Sequence, residues 1–371
     1  MARARALGFA VRRRTPPNPW VGCVIVRDGE IVGEGATHPP ANWPDGLHAE
    51  AEALAAAGDR AQGATVYTTL EPCSHHGRTP PCADALIAAD VARVVVAVLD
   101  PDPLVSGAGL ARLRDAGITV DVGVGATDAA DDLFSYLLHR RAGRAAVVVK
   151  VATTIDGRTA AADGTSQWIT GPSARTDVHE LRADSQAVVI GAGTALADQP
   201  TLTARDLEDT TVVQPQRVLL DARGRVPATG PLFDVTFAPT TVVTTDAATP
   251  DAVAAWRDSG AEVHCVAAAV GGIGVDLQAV FALLGKQGVL QALVEPGPTL
   301  AGALVAHGPL DRMITYVAPA LLGTRGRAAF DWAGPDTIND ALRWRIARVT
   351  HLDPDVRLDL VPTANPFERE V

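Results

Sequence analysis

The chain has 371 residues, 47% of them hydrophobic and 20% charged, with a formal net charge of −11. That length exceeds one average domain and fits two, and the composition supplies ample core material. The acidic balance argues against general nucleic-acid binding, which depends on basic surface, and no apolar run is long enough to span a membrane.

The start, MARARALGFAVRRR, lacks the apolar h-region and small-residue cleavage site of a secretory signal, so it is expected to form a first helix in a cytoplasmic protein. VGCVIV (21–26) and IVGEGAT (31–37) flank Asp28-Gly29, a hairpin turn signal. HAEAEALAAAG (48–58) has helical periodicity and ends on Gly58. Then come a strand at 64–70, a helix at 82–90, a buried strand at 92–100, a helix at 107–117 and a strand at 118–124. This alternation predicts a three-layer α/β domain over 1–125. A helical connection at 126–144 leads to a second α/β domain over 145–371, with strand-like runs at 145–154, 187–193, 217–222, 240–245, 262–268, 289–297 and 312–323.

Four cysteines stand at 23, 73, 82 and 265. In a reducing cytoplasm, closely spaced cysteines bind metal or catalyse more often than they form disulfides. Cys73 follows a strand, Cys82 begins a helix, and His48 and Glu50 sit at another helix start in the run HAE. One imidazole and two thiolates leave a tetrahedral zinc with an open position, which marks a catalytic site; structural sites usually close with four protein ligands. Such a zinc lowers the pKa of a bound water, and the non-ligating Glu50 is placed to shuttle protons to a leaving amine. His75 and His76 are alternative sources of the single imidazole. The order H-x-E, then P-C and a second Cys, is that of zinc deaminases, although here the cysteines are nine positions apart.

The stretches TPPNPWVGCVIV, HAE, TLEPCSHHGRTPPCADALI and DPDPLVSGAGLARLRDAGI resemble the deaminase half of the bifunctional riboflavin-biosynthesis deaminase/reductase. That resemblance implies a cytidine-deaminase-like three-layer domain, zinc held by His48, Cys73 and Cys82, Glu50 as proton shuttle, and contacts from Asn18, His75 and Arg78 to a phosphorylated pyrimidine. A phosphate on an acidic protein calls for a placed fork donor, which Arg78 can supply unless it is an ordinary loop arginine.

In the second domain GAG (191–193) follows a strand, and EPGPTLAGALV (295–305) joins a strand to an apolar helix, where Gly297 lets backbone amides approach a phosphate or simply makes a turn. KVATTIDGRTA, GTSQWITG, LRADSQAVVIGAGTALADQPTLTAR, EPGPTLAGAL and YVAPALLG resemble the reductase half of the same family. This implies a dihydrofolate-reductase-like fold that uses NADPH. By resemblance, Lys150, Ser166, Arg182, Leu202, Arg205 and Glu295 hold the ribosyl substrate. Thr153, Trp168, Asp198 and the run Gly297, Pro298, Thr299, Leu300, Ala301, Gly302 and Ala303 border the cofactor. Trp168, in the polar context SQWIT, reads as cofactor wall or as core.

The expected partners are small phosphorylated pyrimidines, with neither nucleic acid nor membrane, and the expected assembly is a homo-oligomer. Glu52, Thr154, Gln199, Pro296 and Ala320 depart from the family motifs. Ala320 removes a cation and Pro296 an amide, so a deaminase whose reductase half has degenerated is the alternative reading.

Overall fold

The computed structural model describes residues 1–40, 46–75, 80–103, 105–209 and 212–363. The chain forms two compact units, one over Met1–Gly143 and the other over Arg144–Asn365.

The first unit contains α1 (Ala2–Val11), β1 (Gly22–Arg27), β2 (Glu30–Ala36), α2 (Ala49–Ala57), β3 (Thr65–Leu70), α3 (Cys82–Ala88), β4 (Arg93–Val98), α4 (Ala108–Asp115), β5 (Thr119–Val122), α5 (Ala126–Asp132) and α6 (Phe134–Ala142). The strands form one sheet in the order β2-β1-β3-β4-β5. The hairpin β1–β2 and the β1–β3 pair are antiparallel, and β3–β4–β5 are parallel. Helix α2 lies on the sheet at backbone contact distance because both surfaces are nearly bare. A Cβ on Gly33 would meet the Ala53 carbonyl oxygen at 2.2 Å, and one on Gly35 would meet that of Ala49 at 2.3 Å. Ala49, Ala53 and Ala57 are the buried residues opposite. The scarcity of large side chains in this stretch is therefore what lets α2 approach, and α2 carries the His48–Glu50 end. Helices α5 and α6 pack within this unit. Arg5 reaches Asp128 and Asp132 at 2.6 Å each, and the Trp20 indole N–H donates to the Asp132 carbonyl at 2.9 Å.

The second unit contains β6 (Ala146–Thr154), β7 (Arg158–Ala160), α7 (Pro172–Ala183), β8 (Ala187–Gly191), α8 (Ala192–Asp198), β9 (Gln216–Leu220), β10 (Thr240–Thr244), α9 (Pro250–Asp258), β11 (Glu262–Cys265), α10 (Leu277–Lys286), β12 (Gln291–Val294), α11 (Pro298–His307), β13 (Arg312–Ala318), β14 (Arg327–Ala328), β15 (Trp344–Leu352) and β16 (Asp355–Pro362). Its main sheet runs β11-β10-β9-β8-β12-β6-β13-β16-β15. Every pair from β11 to β13 is parallel, and β16 and β15 close one edge as an antiparallel hairpin. The parallel strands are buried on both faces, which is why they read as continuous runs such as AVVI. Along β8, Ala187 and Val189 enter a core with Phe281 and Leu284, while Val188 and Ile190 enter another with Trp256. The carboxyl ends of β8, β9 and β12, with Lys150 on β6, open onto one large cavity, where open parallel sheets place their ligands.

Candidate active sites

In the first unit, His48 caps the N-terminus of α2 and Cys82 is the first residue of α3, while Cys73 stands in the loop leaving β3. The His48 Nδ1 atom lies 3.2 Å from the Cys82 sulfur and 3.6 Å from that of Cys73. One donor atom from each of the three residues falls within a common 4.8 Å. The Cys82 backbone N–H donates to the Cys73 sulfur at 3.3 Å, and the Ala83 N–H to the Cys73 carbonyl at 3.1 Å. The start of α3 thus fixes the loop that bears the first sulfur, and its dipole end favours thiolate charge.

The charge balance of this trio fits a divalent cation. The Cys82 thiol, hydrogen-bonded to it, and then the His48 ring hold the Cys73 thiol down at about 4, against burial. The same sulfur–sulfur contact, with burial, pushes Cys82 well up. Two sulfurs this close share one proton unless a cation lies between them, and N plus two S donors suit zinc.

Glu50 is 4% exposed, and its Oε1 atom accepts a hydrogen bond from the Thr68 hydroxyl at 3.2 Å. Burial raises its pKa, opposed by the His48 ring. The buried carboxyl therefore favours its protonated form more than an exposed glutamate does.

Two neighbouring glutamates have roles that the sequence did not assign, one of them the motif departure Glu52. Glu71, 4% exposed, accepts from the Gly107 N–H at 3.0 Å and the Asp100 N–H at 3.4 Å, so it ties the Pro72–Cys73 loop to the start of α4. A glutamate placed directly after a strand and before Pro-Cys is the only local signal. Glu52 accepts from the Ala36 N–H at 2.6 Å and lies 3.2 Å from His38 Nε2, so its charge is spent on the end of β2. Asn18 is half-buried in the turn that follows α1, and His75 is exposed. Arg78 and His76 lie outside the described residues.

In the second unit a cavity of about 1760 Å³ is lined by Lys150, Ser166, Trp168, Arg182, Asp198, Leu202, Arg205, Glu295, Gly297, Pro298, Thr299, Leu300 and Ala303. Each of these is among the residues expected from the sequence. Three expected residues do not line it. Thr153 is 7% exposed on β6; Ala301 is buried, and Gly302 backs against Asp331, where a Cβ would meet the carbonyl oxygen at 2.0 Å. These two lie on the opposite face of α11 from Thr299, Leu300 and Ala303, a division that a contiguous motif hides.

The cavity floor is an ion cluster. Arg182 grips Glu295 with Nε at 2.6 Å and a terminal nitrogen at 3.0 Å, and it donates to the Thr203 carbonyl at 3.2 Å. Lys150 Nζ lies 3.9 Å from the same carboxylate. Burial works to raise the Glu295 carboxyl, but Arg182 and then Lys150 outweigh it and hold the group at about 2. Burial lowers the Lys150 ammonium against the pull of Glu295. Burial likewise raises Asp198, the last residue of α8.

Trp168 is 69% exposed, with the Arg175 guanidinium 4.7 Å from its ring centroid, so it is a wall residue and not core. Leu202 is buried with φ +56°, which turns the chain so that Arg205 comes to the exposed rim. Helix α11 begins at Gly297 with no side chain capping its amides, and a Cβ on Gly297 would lie 3.1 Å from the Thr194 hydroxyl. An open helix start at the edge of a large cavity suits a dinucleotide's phosphates.

Two family models match the chain. Residues 2–98 match the cytidine and deoxycytidylate deaminase zinc-binding region, and residues 145–358 match the RibD C-terminal domain. The riboflavin biosynthesis protein RibD of Escherichia coli (strain K12) is 44% identical, covering 97% of this chain and 98% of that protein. That of Mycobacterium tuberculosis is 42% identical over 95% and 94% of the two chains. Among solved structures, RibD of Acinetobacter baumannii (form 1) superposes with a TM-score of 0.86 at 42% identity, over 98% of each chain. A diaminohydroxyphosphoribosylaminopyrimidine deaminase/5-amino-6-(5-phosphoribosylamino)uracil reductase from Thermotoga maritima gives 0.83 at 31% identity, over 98% of this chain and 97% of that one.

Proposed function

The chain belongs to the RibD family of bifunctional riboflavin-biosynthesis enzymes, and from that membership we propose which reaction each unit performs and which residues carry it. The first unit hydrolytically deaminates 2,5-diamino-6-ribosylamino-4(3H)-pyrimidinone 5′-phosphate. The second reduces the ribosyl group of the product to ribityl. The supporting observation is the convergence of His48, Cys73 and Cys82 beside the buried Glu50, on a chain whose other unit carries the Lys150–Glu295–Arg182 floor.

Held by His48 Nδ1 and the two sulfurs, zinc supplies Lewis acidity that makes a water acidic enough to react near neutral pH. Glu50 takes a proton at its carboxylate and returns it to the departing amine. Its burial disfavours the charged form, so the carboxyl takes up and keeps a proton more readily than an exposed glutamate does. Thr68 fixes the carboxyl by donating to its Oε1 atom. Glu71 acts at one remove, by anchoring the loop that carries Cys73.

NADPH supplies the hydride for the reduction, so the second unit's residues bind and orient. Lys150 and Glu295 present a donor and an acceptor side by side for sugar hydroxyls. Arg182 is committed to Glu295 and the Thr203 carbonyl, so its part is to keep Glu295 ionised and in place. Arg205, exposed at the rim, offers a cation to the substrate phosphate. Asn18, His75 and Arg78 are proposed to contact the pyrimidine nucleotide in the first unit.

The deaminase-only alternative has no support. The second unit is matched by its own family model, and the Lys150–Glu295–Arg182 cluster is intact. Of the two departures behind it, Ala320 is exposed and away from the cavity lining, while Pro296 lines the cavity just before the open start of α11. A cytoplasmic location and a homo-oligomeric assembly belong to the same proposal, and light scattering on the purified protein tests the assembly. An assay that follows ammonia release and NADPH oxidation together, started with the diaminopyrimidinone phosphate, tests the function. Ammonia without NADPH oxidation would reject the second step, and no ammonia would reject the first.

A further inference from the structure

We propose that Arg175 and Asp355 are positioning residues for the reduction: together they hold Trp168 in the cavity wall with one ring face open to a planar ligand ring. This rests on the reductase reading above and deepens it.

The wall that carries Ser166 and Trp168 is an irregular segment between β7 and α7. Its near end is tied locally, where the Asp163 carboxylate accepts from the Thr165 N–H at 2.9 Å and from the Thr165 hydroxyl at 2.7 Å. The Trp168 ring itself is 69% exposed, and its indole N–H makes no hydrogen bond among the described residues. A side chain that exposed has several staggered rotamers open to it unless its neighbours choose one. The far end of the wall, at Thr170 and Gly171, is where that choice is made.

Two elements reach that end. Arg175, in the first turn of α7, donates to the Thr170 carbonyl at 2.9 Å and sets its guanidinium 4.7 Å from the Trp168 ring centroid. It makes no ion pair among the described residues, so the wall is where its charge is used. A guanidinium over one face of the indole leaves the other face to a ligand. Asp355, the first residue of β16, is 2% exposed, and its Oδ2 atom accepts from the Gly171 N–H at 2.7 Å. Its Oδ1 atom is buried without a partner. Burying a carboxylate is costly, and the one side-chain hydrogen bond that offsets the cost here goes to the residue that ends the wall. Pro354 packs beside it, since a Cβ on Gly171 would lie 3.0 Å from the Pro354 Cδ. The edge hairpin β15–β16 thus has a part in the site although none of its residues lines the cavity. A wall ordered before the ligand arrives spares the binding step the cost of ordering it.

The test is a mutant cycle read by calorimetric titration of the full-length, zinc-loaded protein with NADP⁺. The double variant Arg175→Gln, Asp355→Ala should lose about 10-fold in affinity, the cost of ordering one side chain and its backbone on binding. In a Trp168→Ala background the same pair should cost less than about twofold, because the ring that they place is gone. Arg175→Gln alone disturbs no buried carboxylate, so it carries the cycle by itself where Asp355→Ala unfolds the second unit. Asp355→Asn, whose amide oxygen still accepts from the Gly171 N–H, should bind NADP⁺ within about twofold of wild type. Equal losses with and without the Trp168 ring would overturn the assignment. So would wild-type affinity in the double variant, or a loss in Asp355→Asn as large as in Asp355→Ala. Failure of the wild type to bind NADP⁺ would instead sink the reductase reading itself, and the positioning role with it.

Discussion

Gly109 faces the carbonyl oxygen of Pro72 so closely that a Cβ on the glycine would lie 2.0 Å from it. The first turn of α4 therefore braces the residue just before Cys73. Neither partner can yield cheaply, since the contact is backbone on one side and the proline is followed by a zinc ligand. Gly109→Ala should destabilise the protein by about 1–3 kcal/mol, as overpacking does, and should also displace the Cys73 sulfur. Zinc per chain, measured by mass spectrometry on the purified variant, should fall below one. Full zinc occupancy with wild-type ammonia release would show that the loop does not depend on this contact.

Glu50 and Cys82 separate two roles within one site. Glu50→Gln keeps the shape and the Thr68 contact but cannot carry the proton, so zinc should remain stoichiometric while ammonia release falls about 10²- to 10⁴-fold. Cys82→Ser removes a ligand, and zinc content itself should drop. An active Glu50→Gln variant would remove the shuttle role. A Cys82→Ser variant with one zinc per chain would remove that ligand assignment.

The alternation of strands and helices was legible because the parallel strands, buried on both faces, read as runs such as VVVAV and AVVI, each followed by Ala-rich helical periodicity. The hairpin β15–β16 was not read. Trp344–Leu352 lies at the sheet edge, mostly exposed, and RWRIARVTHL carries no buried period-2 stripe. The zinc trio was legible because its chemistry demands residue types rare in this chain, with four cysteines in 371 residues. Glu71 escaped notice for the opposite reason. It is an ordinary charged residue whose role comes from a contact across 36 positions, to the Gly107 N–H, that local sequence does not reveal. Trp168 stayed ambiguous because composition cannot tell a cavity wall from a core.

Asp100 is 7% exposed, and burial raises its carboxyl to about 6 although the Tyr136 hydroxyl donates to it at 3.0 Å. The folded state thus binds this proton more tightly than the unfolded chain, whose value is near 3.8. The group's contribution is greatest below that lower value, is lost as pH rises through about 6, and stays lost above it. Asp100→Asn keeps the shape but cannot ionise. The melting temperature of the variant relative to wild type should therefore rise between pH 4 and pH 7 and then level off, as read by calorimetry. A difference that does not change with pH would show that Asp100 is not ionising against burial.

Glu295 works in the reverse direction. Burial alone would raise its carboxyl, yet Arg182 and Lys150 hold it at about 2, below the ordinary 4.5. The folded state therefore releases this proton more readily than the unfolded chain. The resulting stability is present above pH 4.5 and is lost as pH falls toward 2. The size of the shift corresponds to something on the order of 3 kcal/mol at neutral pH. Glu295→Gln leaves the Arg182 guanidinium, itself mostly buried, facing a neutral amide. Its thermal unfolding should lie well below wild type at pH 7, and the gap should narrow steadily below pH 4. Arg182→Lys, which keeps the charge but loses the fork, should give a smaller gap of the same pH dependence. A gap for Glu295→Gln as wide at pH 3 as at pH 7 would mean that shape, and not charge, is what this carboxylate contributes.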